Sequence, residues 1–302
     1  MTELHPSTHA VHSDSNHAHE RPVGSKPAWA WYSGEAKYDA VLTVALVVGA
    51  LSLSATRYQG RAPYGKFGGA KSAGVALSPQ LGWLLMELPA PVMFLIGLRN
   101  GWLARAKEDT KPHPTATKML STIFLLHYLN RTLVFPLLIR SPPDSKATFA
   151  LMNSATGAII VGAHGWLHGR LFSKNGKHLT REWLSGAQFK LGVMVYELGF
   201  ALLLHSEHVL RCLRPRGGVV SGENRYKIPF GGGFTWISSP QYLGELMAWA
   251  GLRMCTGSPA TWFVLMISLA NLVPRSFEQH KWYLRKFPDY PRERRALLPF
   301  LC

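Results

Sequence analysis

Seven apolar runs separated by polar loops limit what this chain can fold into more than any other feature: Tyr38 to Ala55, Leu77 to Leu98, Thr117 to Ile139, Phe149 to Leu171, Ala187 to Leu204, Tyr242 to Met254 and Pro259 to Val273. Crossing a bilayer as helix takes about 20 apolar residues. Within lipid every backbone N–H and C=O needs an internal partner, which a helix supplies. The sixth run is short and carries Glu245, so it reads as a partial or tilted span. At 47% hydrophobic and 17% charged residues, the chain departs from the soluble average in the same direction. The expectation is an all-α integral membrane protein, about seven transmembrane helices in one bundle with cytosolic loops closing over one end. A long polar stretch precedes the first run, so that run does not read as a cleaved signal peptide.

Charge orients the bundle. Loops on the side of the C-terminus hold Arg57, Arg61, Lys66, Lys71, Arg140, Lys146, Arg211, Arg214, Arg216, Arg225 and Lys227, and the block from Arg275 to Arg295 adds more. Lys and Arg favour the cytosolic side, which places the C-terminus in the cytosol. A net charge of +16 suits an anionic lipid surface. So few cations lie outside short loops that nucleic acid is not an expected partner, and no obligate protein partner is evident.

Residues 1–28 hold His5, His9, His12, His17 and His19 with almost no apolar residue, which predicts a disordered leader ahead of a single membrane domain over 29–302. Loose metal capture is the other reading of these histidines, but their irregular spacing defines no coordination geometry, and no metal site is assigned. Cys212, Cys255 and Cys302 form no paired framework.

Ionisable groups inside spanning helices are costly and face a cavity or a partner. Glu87 lies within Trp83-Leu84-Leu85-Met86-Glu87-Leu88-Pro89; the third run carries His127-Tyr128-Leu129-Asn130-Arg131-Thr132; the fifth ends in His205-Ser206-Glu207. Pro89 and Pro91 interrupt the helix just past Glu87 and free backbone groups there. One reading makes Glu87 and Tyr128 an acid and a phenol that polarise a ketone; the other pairs Glu87 structurally with Arg131 or His127. Glu207, Arg211 and Arg214 share a helical face, either as a phosphate receptor or as a solvated ion-pair face. Near the C-terminus, Tyr226-Lys227-Ile228-Pro229 with Gly231-Gly232, and Tyr283 with Asp289-Tyr290-Pro291 and Arg294, interleave rings with cations around an apolar hairpin.

Taken in order, Tyr64-Gly65-Lys66, Glu87-Leu88-Pro89, His127-Tyr128 with Arg131-Thr132, His205-Ser206-Glu207, Tyr226-Lys227-Ile228-Pro229, Tyr242-Leu243-Gly244-Glu245 and the Tyr283 to Arg294 block resemble the steroid 5α-reductase family from about residue 60 onward. The resemblance implies a seven-helix reductase that uses NADPH to reduce the C4–C5 double bond of a 3-oxo-Δ4-steroid. Glu87 and Tyr128 match the groups that bind the 3-keto oxygen, with Trp83 and Met86 beside the substrate. Tyr64, Arg131, Arg140, Ser206, Glu207, Arg214, Lys227, Gln241, Glu245, Arg275, Tyr283 and Arg294 match positions at or near the cofactor, with 222–302 carrying much of that site. Met86 stands where a glutamine is usual, and Leu203 replaces an amide-bearing residue. The polar leader suggests a bacterial member, in an inner membrane. Reduction of another lipophilic enone such as a trans-2-enoyl-CoA or a polyprenol, a membrane methyltransferase using S-adenosylmethionine, and a non-enzymatic lipid-binding role are the competing readings.

Overall fold

Proline set directly behind a polar residue starts four of the helices, at Pro79, Pro114, Pro240 and Pro259. In the computed structural model, which describes residues 33–59, 75–103, 111–140, 149–213 and 226–301, Ser78 accepts from the N–H of Leu81 ahead of Pro79. His113 accepts from the N–H of Thr115 ahead of Pro114, and Ser258 from the N–H of Ala260 ahead of Pro259. Proline costs nothing at a first turn whose N–H groups lack helical partners, and the capping side chain satisfies one of the rest. The polar leader, Tyr64 and Arg214 lie outside the described residues.

The elements run α1 (Ala36–Gln59), β1 (Ala76–Leu77), α2 (Pro79–Glu87), α3 (Pro89–Leu103), α4 (Pro114–Leu129), α5 (Phe135–Leu137), β2 (Phe149–Ala150), α6 (Leu151–Arg170), α7 (Arg181–Ser185), α8 (Ala187–Cys212), α9 (Pro240–Thr256) and α10 (Pro259–Lys286). A wide π turn, Asn130–Val134, joins α4 to α5, and another, Leu171–Asn175, extends α6. The two short strands pair antiparallel, Ala76 with Ala150 and Leu77 with Phe149. Gly257 in the left-handed conformation (φ 57°) ends α9. As the tandem prolines require, α2 stops at Glu87 and α3 begins at Pro89. Pro91 leaves the Glu87 carbonyl without a helical donor, and the hydroxyl of Thr132 reaches it at 3.5 Å.

Four helical stretches among the described residues are long and apolar enough to cross a membrane: Ala36–Thr56, Pro79–Leu103, Ala187–Cys212 and Pro259–Lys286. This corrects the expectation of seven. α4 has 16 residues and α9 has 17, short of the usual span. α6 reaches 20 residues but carries His164, His168 and Arg170, all buried against other helices. The chain is an all-α membrane protein in which long apolar spans pack with shorter, more polar helices. Val44, Leu51, Leu95 and Leu198 face outward on the former.

Close approach of backbones holds the helices together, since lipid supplies no hydrophobic drive between them. The most extensive contacts are α8 with α9 and α3 with α6. A Cβ on Gly199 would lie 2.6 Å from the amide nitrogen of Ala248, and one on Gly244 2.6 Å from the carbonyl of Gly199. Gly165 and Gly169 of α6 press in the same way on the carbonyls of Ala90 and Phe94. The core between these pairs is aromatic: Phe94 stacks on Phe124 at 4.3 Å and meets Phe172 edge-on at 5.9 Å.

At the end where α1 begins, Glu35 bonds Arg170, receives Asn175 Nδ2 at 3.2 Å and faces Lys174 Nζ at 3.5 Å. Burial pushes the Glu35 carboxyl up, but these hydrogen bonds and cations outweigh it and leave it below its ordinary value. A lowered carboxylate stabilises fully above its unfolded value and loses that contribution as pH falls through the folded one.

Two outcomes are expected. Gly199→Val forces apart the α8–α9 contact, lowering stability by about 3 kcal/mol, read as a fall in thermal midpoint in detergent. The difference in midpoint between wild type and Glu35→Gln, clear near neutral pH, closes as the pH falls below about 4; a difference independent of pH would rule the charge out.

Candidate functional site

Arg131 sits in the π turn that follows α4, a widening of the helix that often accompanies function. The turn frees its carbonyl to accept from Trp83 Nε1 at 3.1 Å. Its guanidinium lies over the rings of Trp83 (4.8 Å) and Phe135 (5.7 Å). Around it gather three carboxylates from three helices: Glu87 Oε1 of α2 at 3.2 Å, Glu207 Oε1 of α8 at 3.7 Å and Glu245 Oε2 of α9 at 3.6 Å. These side chains are only 5% to 13% exposed, so little water screens them.

One cation among three acids leaves the cluster short of positive charge. Such a layer accepts hydrogen-bond donors such as ribose hydroxyls, a carboxamide NH2 or shared protons. Arg131 engages Oε1 of Glu87 and leaves Oε2 available among the described residues. The structure thus contains the pairing of Glu87 with Arg131 that one reading expected. Glu207 turns inward to Arg131, not to a solvated face with Arg211.

Tyr128 lies one helical turn deeper than Arg131, 2% exposed, within electrostatic range of Glu87, Arg131 and Glu245. No described residue hydrogen-bonds its hydroxyl. Trp83 packs on Phe135 at 4.8 Å. Met86, half-buried, lies over Gly157 of α6, where a Cβ would strike its side chain. Ser206 is fully buried and donates to the carbonyl of Leu202 at 2.6 Å; it is turned into its own helix. Arg140 donates from Nη1 to the carbonyl of Arg211 at 3.2 Å, tying the end of α5 to the end of α8.

The C-terminal candidates form a second cluster on α9 and α10. Arg275 Nε donates to the Tyr242 hydroxyl at 2.9 Å. Tyr283 stacks on Tyr290 with ring centres 5.0 Å apart and planes 6° from parallel. Arg294 is 2% exposed, donates from Nη1 to the carbonyl of Pro229 at 2.9 Å, and lies over Phe230 and Tyr290. Ser238 bonds both His280 Nδ1 and the Tyr290 hydroxyl at 2.7 Å. A parallel bridge between Ile237 and Arg295 pins the chain end to the segment ahead of α9. Gly231 (φ 89°) and Gly232 (φ 54°) make the turn before it, and a Cβ on Gly232 would enter the ring of His205. Lys227 is exposed.

Three buried polar atoms around the start of α9 and the chain end have no partner among the described residues, Ser239 Oγ, Gln241 Oε1 and Arg294 Nε. A buried donor and acceptor left open, with stacked rings and an acid layer beyond, fit a ligand that bears phosphates, ribose and an amide. The residues present thus fit a nicotinamide dinucleotide. The sequence reading gave no role to Trp249 and His164, which pack against Tyr128, to His168, which packs on His164, or to Tyr242 and Phe135, which contact Arg275 and Arg131. Single aromatic and imidazole residues on apolar helices carry no spacing signal of their own.

A family profile described as 3-oxo-5-alpha-steroid 4-dehydrogenase matches residues 147–302. The chain is 36% identical over 240 residues to steroid 5-alpha-reductase DET2 of Solanum lycopersicum, covering 79% of this chain and 87% of that one. It is 33% identical over 257 residues to 3-oxo-5-alpha-steroid 4-dehydrogenase 2 of Homo sapiens, covering 85% and 93%, and 33% identical over 240 residues to the type 1 protein of Bos taurus, covering 79% and 87%.

Arg131→Leu leaves three buried carboxylates without their cation and is expected to cost about 3–5 kcal/mol, measured as unfolding in detergent. Arg131→Lys, which keeps the charge but not the planar fork, should fall between the two; equal losses would show that charge is not what matters.

Proposed function

This chain belongs to the 3-oxo-5-alpha-steroid 4-dehydrogenase family, oxidoreductases acting on CH–CH bonds, and we propose that it reduces the C4–C5 double bond of a 3-oxo-Δ4-steroid to the 5α product. The observation that supports this reading is a buried carboxyl and a buried phenol, Glu87 and Tyr128, within electrostatic range of each other and of Arg131. Reduction of a conjugated enone builds negative charge on the carbonyl oxygen, and an electrophilic pair aimed at that oxygen lowers the barrier.

In the proposed site, Glu87 in its neutral form donates from Oε2 to the 3-keto oxygen, and Tyr128 donates from its hydroxyl. Arg131 holds Oε1 and so fixes the carboxyl plane. Trp83 and Met86 flank the apolar body of the ligand. NADPH, when bound, supplies the hydride that adds at C5. Arg294, Arg275, Lys227, Arg140 and Arg214 are the cations for its phosphates, with Tyr64, Tyr283 and Gln241 against its base and ribose. Glu207 and Glu245 accept from its ribose and carboxamide donors, and Ser206 shapes the wall behind Glu207. The membrane domain is taken as 29–302, its acid layer at the cytosolic end of the bundle, in the inner membrane of a bacterium.

Protein in detergent, NADPH and testosterone are expected to give the 5α-saturated ketone. Glu87→Gln and Tyr128→Phe should each lower turnover about 100-fold or more, and unchanged turnover in both would remove the assignment. Arg294→Ala should raise the Michaelis constant for NADPH with little change in that for steroid; the reverse pattern would move Arg294 out of the cofactor site.

A further inference from the structure

Beneath the acid layer, the helix core holds a second polar layer in which six buried atoms have no hydrogen-bond partner among the described residues. His164 has both ring nitrogens unpaired, and His127 Nε2, His168 Nε2, Trp249 Nε1 and Ser121 Oγ are unpaired as well. All belong to residues at most 9% exposed. Each such atom costs about 1–3 kcal/mol in an apolar interior. Six in one region are hard to reconcile with packing alone. Two facing stripes carry much of this layer. On α4, Thr117, Ser121, Phe124 and Tyr128 share a face by helical spacing; on α6, His164 and His168 do the same, with Phe172 of the following π turn beyond them. The ring of Tyr128 lies 5.9 Å from that of His164, and His164 4.3 Å from His168. Phe124 packs on both imidazoles, at 5.2 and 5.7 Å. Thr117 donates to the carbonyl of Phe172 at 2.6 Å and is partly exposed. The polar stripe therefore runs from Tyr128 to the end of the bundle opposite the acid layer. Over eleven helical residues that is about 16 Å.

Resting on the function proposed above, we propose that His164, His168 and Ser121 form the path by which the proton consumed in each reduction reaches Tyr128 from the face of the membrane opposite the cofactor. Saturating the double bond takes one hydride and one proton. NADPH loses the hydride and becomes NADP+; the proton comes from water. As hydride adds at C5, Tyr128 passes its hydroxyl proton to the substrate oxygen and the enol forms; when the ketone returns, the enol O–H proton goes to water and C4 takes one from water with no net change, so the one proton consumed is the one that reprotonates Tyr128. His164, with a donor and an acceptor nitrogen both open, returns a proton to the phenolate and takes one from the His168 side. His168 Nδ1 donates to the carbonyl of His164 at 2.9 Å, which leaves Nε2 as the acceptor for a proton arriving past Ser121. No group in the protein changes oxidation state. The rings facing these imidazoles are Phe124 and Tyr128 of α4, Phe172 beyond α6 and Trp249 of α9, with His127 the other titratable ring. On the cofactor side, Arg131 and its three acids close the same route with fixed charge.

The test uses the full chain in proteoliposomes with a trapped pH dye, NADPH outside and testosterone as the enone. Internal pH should rise with turnover, by about one proton per steroid reduced, and a protonophore should abolish the rise. Ser121→Ala and His168→Leu should lower turnover about tenfold and increase the solvent deuterium isotope effect while leaving NADPH affinity unchanged. Steroid reduction with no internal pH change, or variants with unaltered rate and isotope effect, would overturn the path and leave the reductase reading intact. No reduction of testosterone or any other enone by the wild type would overturn that reading and the path with it.

Discussion

A guanidinium held between three carboxylates from three helices is the interaction on which the rest of this structure depends. Arg131 reaches Glu87 of α2, Glu207 of α8 and Glu245 of α9 from a π turn after α4. None of these groups is tolerable alone in an apolar interior. Each therefore constrains the others, and four helices must meet at one depth and one rotation for the cluster to form. The excess of acid over base also sets the character of the site, because the uncompensated oxygens must find donors in a ligand, in shared protons or in water.

Steric constraint works alongside charge. With no hydrophobic drive between helices in lipid, contact is won by backbone proximity, and the glycines of α6, α8 and α9 sit where a side chain would strike a neighbouring backbone atom. That packing leaves the aromatic core around Phe94 and Phe124 continuous, and it puts α6 close enough for His164 to reach Tyr128. The tandem prolines end α2 at Glu87, so the acid stands at a break in the helix where backbone groups are already freed.

Much of the site could be read from residue order. Glu87, Tyr128, Arg131, Glu207 and Glu245 stood out because ionisable groups in apolar runs need a reason, and the structure brings the four charged ones into one cluster with Tyr128 a turn deeper. Less was legible elsewhere. Glu207 reads as the start of a face with Arg211 and Arg214 when only helical spacing is considered, yet it points to a residue 76 positions earlier. The partners of Arg275 and Arg131, Tyr242 and Phe135, are ordinary aromatics by pattern. The number of spans was overstated for a related reason: an apolar run does not reveal where its helix ends, and α4 and α9 stop at 16 and 17 residues while α6 buries two histidines and an arginine.

By itself the sequence determined that this protein is helical, that it belongs in a membrane, where its helices start and break, and which polar residues demand an explanation. Those properties follow from local physics: apolar run length, proline's missing N–H and the cost of a charge in lipid. Only the tertiary structure decided which of those residues share a site, that one arginine serves three acids, and that unpartnered imidazoles lie behind the phenol. These depend on helix rotation and depth, which close packing across distant segments sets and no local pattern encodes.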